Sequence, residues 1–313
     1  MDDRQICWVL AGPTASGKTA LSLELARRHG CEIVCMDSMQ IYRGMDIGTA
    51  KPTPEEQAVA PHHMIDVADP REGFSVSRYQ ELAEETVRQI HARGHRALFV
   101  GGTGFYLRAL RSPMAMGEVR GDDSLRERLQ LEADAPGGKE TLHRRLAQVD
   151  PVTAARLHPN DVRRVIRALE VHAITGRPFS QQEQPAGEPA FRYRVAALDM
   201  DRALLYERVE RRVDQMLAQG LAEEVRRLLD SGVPADCQAM KGLGYKELVP
   251  YLRGECTLQE ATYAVKLGTR HYAKRQLTWF RHEPDILWVD PTKEDAVDRL
   301  ERWYLYGKGN EEP

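Results

Sequence analysis

No stretch of this 313-residue sequence approaches the roughly 20 consecutive apolar residues that a bilayer-spanning helix needs. The N-terminus, MDDRQ, runs straight into the apolar segment Ile6 to Leu10. It has no basic region, long apolar core or cleavage site, so no secretory signal is expected. These absences predict a cytoplasmic protein with no membrane partner. Cysteine is scarce: Cys7, Cys31, Cys35, Cys237 and Cys256. The number is odd and no CxxC pair occurs, which argues against a disulfide framework and a cysteine zinc site. Cys31 and Cys35 share one face of a predicted strand but lie too far apart to pair. The His62-His63 pair has no Glu or third His at ligand spacing, so no metal is expected there. The chain lacks a strong charge of either sign, with a net −3, so any nucleic-acid contact must come from local clustering. Internal repeats and low-complexity segments are also missing.

Local clustering is present. Between Lys241 and His282 eight Lys/Arg face three Glu, which leaves the rest of the chain acidic. Lys266, Arg270 and Lys274 recur every four residues and form one stripe on a predicted helix. Tyr272, Trp279 and Phe280 are interleaved with it. The stripe reads as an RNA-binding face, whereas Trp279 and Phe280 read as core. Lys241-Gly242-Leu243-Gly244-Tyr245-Lys246 is a basic, glycine-containing loop that a plain core has little use for.

The hydrophobic pattern alternates between short strands and helices. Strands are expected at 6–10, 32–36, 63–67 and 97–100, and helices at 21–29 and 77–93. This rhythm predicts an α/β fold: a P-loop NTPase-like core whose mostly parallel sheet is flanked by helices. It breaks after Ser112. Residues 122–180 contain no convincing strand. Asp150-Pro151 opens one helix there, and Asn160 caps another with the apolar stripe Val162, Val165, Ile166 and Leu169. The polar run Ser180 to Pro189 leads back to a strand at 195–198, helices at 202–218, 221–231 and 257–280, and a last strand at 286–289. The expected organisation is a core of 1–112 and 195–313 with a smaller all-helical insertion domain at 113–194.

The motif Gly12-Pro13-Thr14-Ala15-Ser16-Gly17-Lys18-Thr19 fits GxxxxGK[ST] and lies between a predicted strand and a predicted helix, as a phosphate loop must. Its glycines turn backbone N–H groups inward around an oxyanion, and the following helix adds its positive end. Lys18 supplies a cation to the outer phosphates, and the Thr19 hydroxyl is placed to ligate Mg²⁺. The motif leaves the rest of the substrate open. Asp37 ends a strand at the edge where open α/β sheets bind ligands. Three roles are open to it: a carboxylate on the Mg²⁺ side, a general base or a loop cap. Gly101-Gly102-Thr103-Gly104 reads either as a close approach of backbone to a ligand or as a tight turn.

Seven segments resemble, in order, those of the tRNA dimethylallyltransferases (tRNA isopentenyltransferases). They are GPTASGKT (12–19), DSMQIYRGMDIGTAKP (37–52), HHMIDV (62–67), VGGTGFYLRAL (100–110), DVRRVIRALE (161–170), QAMKGLGYKE (238–247) and TRHYAKRQLTWFR (269–281). They span nearly the whole chain. The resemblance implies an enzyme that moves a dimethylallyl group from dimethylallyl diphosphate to N6 of the adenosine just 3′ of the anticodon, in tRNAs reading codons that begin with U. It implies Asp37 as base, with Thr103 orienting the amine or the diphosphate and Lys18 acting on the diphosphate. The P-loop residues 12–19, with Arg163 and Arg167, would hold the diphosphate, and Mg²⁺ would be the cofactor. The tRNA anticodon stem-loop would meet Asp37, Ser38, Met39, Gln40, Thr103, Asp161, Val162, Arg163, Arg164 and Val165, the loop 241–246, and Lys266, Arg270 and Lys274. The helical insert corresponds to the family's second domain, which closes on that stem-loop. No obligatory protein partner is evident and a monomer is favoured. Two competitors share the loop and Asp37: a small-molecule kinase and a prenyl transferase acting on free adenine nucleotides. Neither needs the 241–246 loop or the basic stripe.

Overall fold

The segment ICWVLA forms β1 (Ile6–Ala11), and every position after Ile6 is buried. A strand apolar on both faces suits the centre of a parallel sheet covered on both sides. The structure, a computed structural model, describes residues 5–112, 121–182 and 187–307. The other strands are β2 (Cys31–Cys35), β3 (His62–His63), β4 (Arg96–Gly101), β5 (Arg192–Leu198) and β6 (Ile286–Val289). Among the described residues these six make one sheet in the order β3-β2-β4-β1-β5-β6. All neighbours run parallel, with Val9 opposite Phe99 on one side and Val195 on the other. β1, β2, β4 and β5 therefore deliver the segments after Ala11, Cys35, Gly101 and Leu198 to one edge of the sheet.

The helices are α1 (Lys18–His29), α2 (Pro54–Val59), α3 (Val76–Ala92), α4 (Gly104–Arg111), α5 (Asp123–Asp134), α6 (Gly138–Val149), α7 (Pro151–Arg156), α8 (Val162–Thr175), α9 (Phe179–Gln182), α10 (Arg202–Ala218), α11 (Leu221–Asp230), α12 (Tyr245–Leu252), α13 (Leu258–Arg281) and α14 (Ala296–Tyr306). Alternation along β1 sorts them. Cys7, Val9 and Ala11 face a core shared with Val87 and Ile90 of α3, Leu107 of α4, Val225 of α11 and Phe280 of α13. Trp8 and Leu10 face the other side, against Leu25 of α1 and Leu300 and Tyr304 of α14. No helix among the described residues is long and apolar enough to cross a membrane.

The chain divides into two compact units, 1–111 with 190–313, and 112–189. In the second, α5 to α8 share a core of Leu129, Leu142, Leu146, Val165 and Leu169. Asp150, 1% exposed, caps α7 by accepting from the Thr153 N–H at 3.0 Å and also binds Ser180. Buried Glu170 pairs with Arg126 and Arg167.

Two local expectations change. The strand expected at 63–67 is only His62–His63, because Met64 and Asp66 adopt left-handed φ of 62° and 57° and leave the sheet. The cap of α8 is Asp161, not Asn160. Residues 1–4, 113–120 at the start of the expected insert, and 183–186 of the expected linker lie outside the described residues.

Candidate active site

The chain leaves β1 at Gly12, with φ 145°, and enters α1 through Gly17, with φ 94°. A Cβ on Gly12 would stand 3.1 Å from the Leu198 Cβ, so the turn is closed to larger residues. Ser16 Oγ donates to the Pro13 carbonyl at 2.8 Å and holds the loop shut. No side chain caps α1, which leaves its first N–H groups facing whatever anion sits in the loop. Lys18 Nζ folds back onto the Gly12 and Pro13 carbonyls at 3.0 and 2.7 Å.

Two cavities open around this loop. A polar one of about 310 Å³ is lined by Ser16 to Thr19 together with Gln40, Glu56 and His62. A second, of about 300 Å³, is more apolar and is lined by Met39, Val213, Met216, Leu243, Val265 and Tyr272, with Lys241, Lys246 and Arg275 among them. Thr14, Asp37, Thr49, Ala50 and Arg212 line both. Every residue that lines either cavity comes from the first unit. Asp37 and Arg212 thus stand where a phosphate compartment meets a more apolar one.

Charge is held here against a desolvation cost. Burial pulls Lys18 down to about 7, Arg212 repels it further, and Asp37 draws it partly back. Burial raises Asp37, opposed by the Met39 N–H, which donates to its Oδ1 at 2.8 Å, and by Lys18 and Arg212. Burial also lowers Arg212, whose Nη1 donates to Thr14 Oγ1 at 3.3 Å. These three groups form a small, poorly solvated charge cluster, the kind of setting in which reactive groups are tuned.

The glycines at the end of β4 and just beyond it answer one question left open by the sequence: the atoms they approach belong to the protein. A Cβ on Gly101 would sit 2.0 Å from the Met36 carbonyl oxygen, on Gly102 1.9 Å from Gln276 Nε2, and on Gly104 1.9 Å from the Trp279 ring. They let this loop close onto β2 and α13. Thr103 is thereby seated beside Asp37: its Oγ1 accepts the Ser38 N–H at 3.0 Å and donates to Ser38 Oγ at 3.4 Å.

Several residues expected to meet RNA are engaged otherwise. Gln40 Nε2 donates to the carbonyls of Thr49 and Ala50, and its oxygen accepts from the Cys35 thiol, so the side chain braces the loop. Val165 is 1% exposed in the helical unit's core and Tyr245 is 1% exposed in the first unit's core; neither side chain is free to stack on a base. Lys266 pairs with Asp214 at 2.7 Å and Arg270 with Glu210 at 2.8 Å, tying α13 to α10. The stripe is therefore not a row of free cations, although Lys274 is exposed. Phe280 is core, and Trp279 packs edge-on against Phe105 with Arg108 over its ring. Lys241 and Lys246 are exposed on the second cavity. Arg163, Arg164 and Arg167 lie on α8 in the second unit; Arg164 pairs with Asp161 and Arg167 with Glu170.

The sequence reading gave no site role to Arg212, Arg275 and Gln276, and noted Tyr272 only beside the basic stripe. Gln276, 5% exposed, accepts the Thr14 N–H at 2.9 Å and donates to the Gly102 carbonyl at 2.9 Å. It clamps the phosphate loop to the Thr103 loop. A signal existed: Arg212 falls on the apolar stripe Leu205, Val209, Val213 and Met216, and Gln276 on the stripe Val265, Ala273 and Phe280. A polar residue on a buried helix face has something to bind.

A P-loop at the edge of a parallel sheet, opening through a carboxylate into a second cavity, defines an enzyme that acts on a phosphate ester and places a second substrate beside it. A model of the IPP transferase family matches residues 40–283. A tRNA dimethylallyltransferase of Geobacter metallireducens is 51% identical over 293 residues, 92% of this chain and 94% of its own. One from Symbiobacterium thermophilum is 50% identical over 292 residues, 93% and 91% of the two chains. Among solved structures, the full-length tRNA isopentenylpyrophosphate transferase of Bacillus halodurans superposes with a TM-score of 0.70 at 42% identity, covering 96% of this chain and 95% of that one. A eukaryotic dimethylallyltransferase captured acting on tRNA gives 0.77 at 28% identity, covering 96% and 75%. The chain belongs to the IPP transferase family.

Proposed function

We infer that this protein transfers the dimethylallyl group of dimethylallyl diphosphate to N6 of adenosine 37 in tRNA, releasing diphosphate. The observation that carries the reading is the junction at Asp37 and Arg212 between a phosphate cavity and a more apolar one of similar size. The diphosphate lies on the N–H groups at the start of α1, and Lys18 and Arg212 stabilise the charge that develops as the allylic C–O bond breaks. The amine lone pair is delocalised into the adenine ring, so attack is assisted when Asp37 accepts the amine proton as the new C–N bond forms. Thr103, tied to Ser38, orients the amine.

Thr19 is the residue that would hold a Mg²⁺ against the diphosphate. Among the described residues no cluster of three or more His, Cys, Asp or Glu forms a metal cage, which suits a cation that keeps its waters and rides on substrate phosphates. When bound it neutralises charge on the departing diphosphate. The target base must leave its stack to reach the second cavity. Lys241 and Lys246 at the rim and Arg163 and Arg164 of the helical unit contact the anticodon stem-loop, a tRNA surface read by splayed bases and phosphate contacts. The protein works in the cytoplasm.

The test incubates the protein with Mg²⁺, dimethylallyl diphosphate and unmodified tRNA whose anticodon is followed by adenosines, then weighs the digested nucleosides. An adenosine heavier by one isopentenyl group is expected. With Asp37→Ala it should fall by about 10²–10⁴-fold in rate while tRNA binding changes little. Equal loss of rate and binding removes Asp37 as base. Phosphate transfer from ATP with no modified adenosine makes the protein a kinase.

A further inference from the structure

Glu224 on α11 is 2% exposed and lines neither cavity. A buried carboxylate is tolerated only when donors fill its oxygens. Here Oε2 accepts the N–H groups of Asp46 and Ile47 at 3.0 and 2.9 Å, and Oε1 accepts the Gly48 N–H at 3.1 Å and the Tyr245 hydroxyl at 2.7 Å. One side chain thus gathers three consecutive peptide groups of one loop and the phenol of the first residue of α12, from 21 to 178 residues away in sequence.

The turn so gathered is held in a conformation it would not keep alone. It runs into Ala50, whose φ of 50° lies in the left-handed region, where a residue with a Cβ stays only if its surroundings impose it. Gln40 grips the same turn at the Thr49 and Ala50 carbonyls. Gly48 lies so close to Tyr245 that a Cβ there would stand 2.6 Å from the ring. Gly48 and Tyr245 line the apolar cavity and not the phosphate cavity. Glu224 thus acts on one compartment through its direct partners.

We propose that Glu224 is a positioning residue for the RNA acceptor. It fixes Gly48, with buried Tyr245 as the backing beneath it, in the wall of the cavity that takes the extruded adenosine, and none of its four direct partners lines the phosphate cavity. The proposal rests on the prenyl-transfer reading above.

The test is steady-state kinetics on the full chain, with tRNA and dimethylallyl diphosphate varied separately, alongside calorimetric binding of inorganic diphosphate. Glu224→Gln keeps the volume but turns an amide donor toward backbone donors. The KM for tRNA should rise about tenfold or more, while the KM for dimethylallyl diphosphate and the affinity for inorganic diphosphate stay within about twofold. Tyr245→Phe removes one donor and keeps the ring; it should raise the KM for tRNA about threefold, and adding it to Glu224→Gln should change nothing further. Equal losses toward both substrates, or an unchanged KM for tRNA in either folded variant, overturn the proposal. If Glu224→Gln does not fold, Tyr245→Phe alone decides. A wild-type protein that makes no isopentenyladenosine fails the parent reading instead, a result visible before any variant is made.

Discussion

Lys18 is held in the phosphate loop at a cost that can be measured by removing it. Burial and the nearby Arg212 bring its ammonium from the ordinary 10.5 to about 7. A tenfold change in proton affinity corresponds to about 1.4 kcal/mol, so the full drop is about 5 kcal/mol. Lys18→Met removes that cost and with it the two bonds to the Gly12 and Pro13 carbonyls, which offset about 1 kcal/mol each. The ligand-free variant should therefore be more stable than wild type near neutral pH by about 2–3 kcal/mol, a rise in Tm of roughly 5 °C, while prenyl transfer is lost. The pH dependence has a definite sign. Below about 7 the lysine is charged in folded and unfolded chains, and the penalty is complete. Between there and 10.5 only the unfolded chain holds the proton, so wild-type stability rises with pH and the gap to the variant closes. Calorimetric melts of both proteins at about pH 7 and about pH 9 measure this. A variant no more stable than wild type at neutral pH, or a gap that does not shrink as pH rises, refutes the reasoning. Stability withheld by a functional group in this way is a common cost of an active site.

Two further outcomes test the electrostatics. Arg212→Gln removes the charge that repels Lys18 and binds Thr14; the Lys18 pKa should rise above about 7, yet calorimetry should show inorganic diphosphate bound about 10–100-fold more weakly for want of a charge-assisted donor. Unchanged binding takes Arg212 out of the phosphate site. Lys274→Ala should lower the slope of log affinity for tRNA against log salt by about 1. Arg270→Ala, which breaks a part-exposed pair with Glu210, should cost about 0.5 kcal/mol of stability and leave that slope alone. A reversed pattern gives Arg270 the phosphate contact.

Much of the phosphate site was legible in the sequence because its information is local. Eight consecutive residues, 12 to 19, set the turn, the donors and the cation, and the flanking periodicities name the strand and the helix. The parallel sheet is likewise written in short apolar runs such as ICWVLA and CEIVC. Family membership was legible for another reason, since seven segments in order carry it.

What only the tertiary structure decided depends on contacts between distant parts of the chain. Gln276 meets Thr14 across 262 residues and Arg212 meets it across 198; no spacing rule links such positions, and each looks like one polar residue on an otherwise apolar helix face. The basic stripe of α13 obeyed helical periodicity, but periodicity says which residues share a face and not what that face meets. Here Asp214 and Glu210 of α10 meet two of its three cations. The glycines after β4 needed the fold too, because close approach is a property of two chain segments and the sequence prints one. Local hydrogen-bonding geometry was set by the order of residues, whereas the distant partners of Arg212, Glu224 and Gln276 were set by packing.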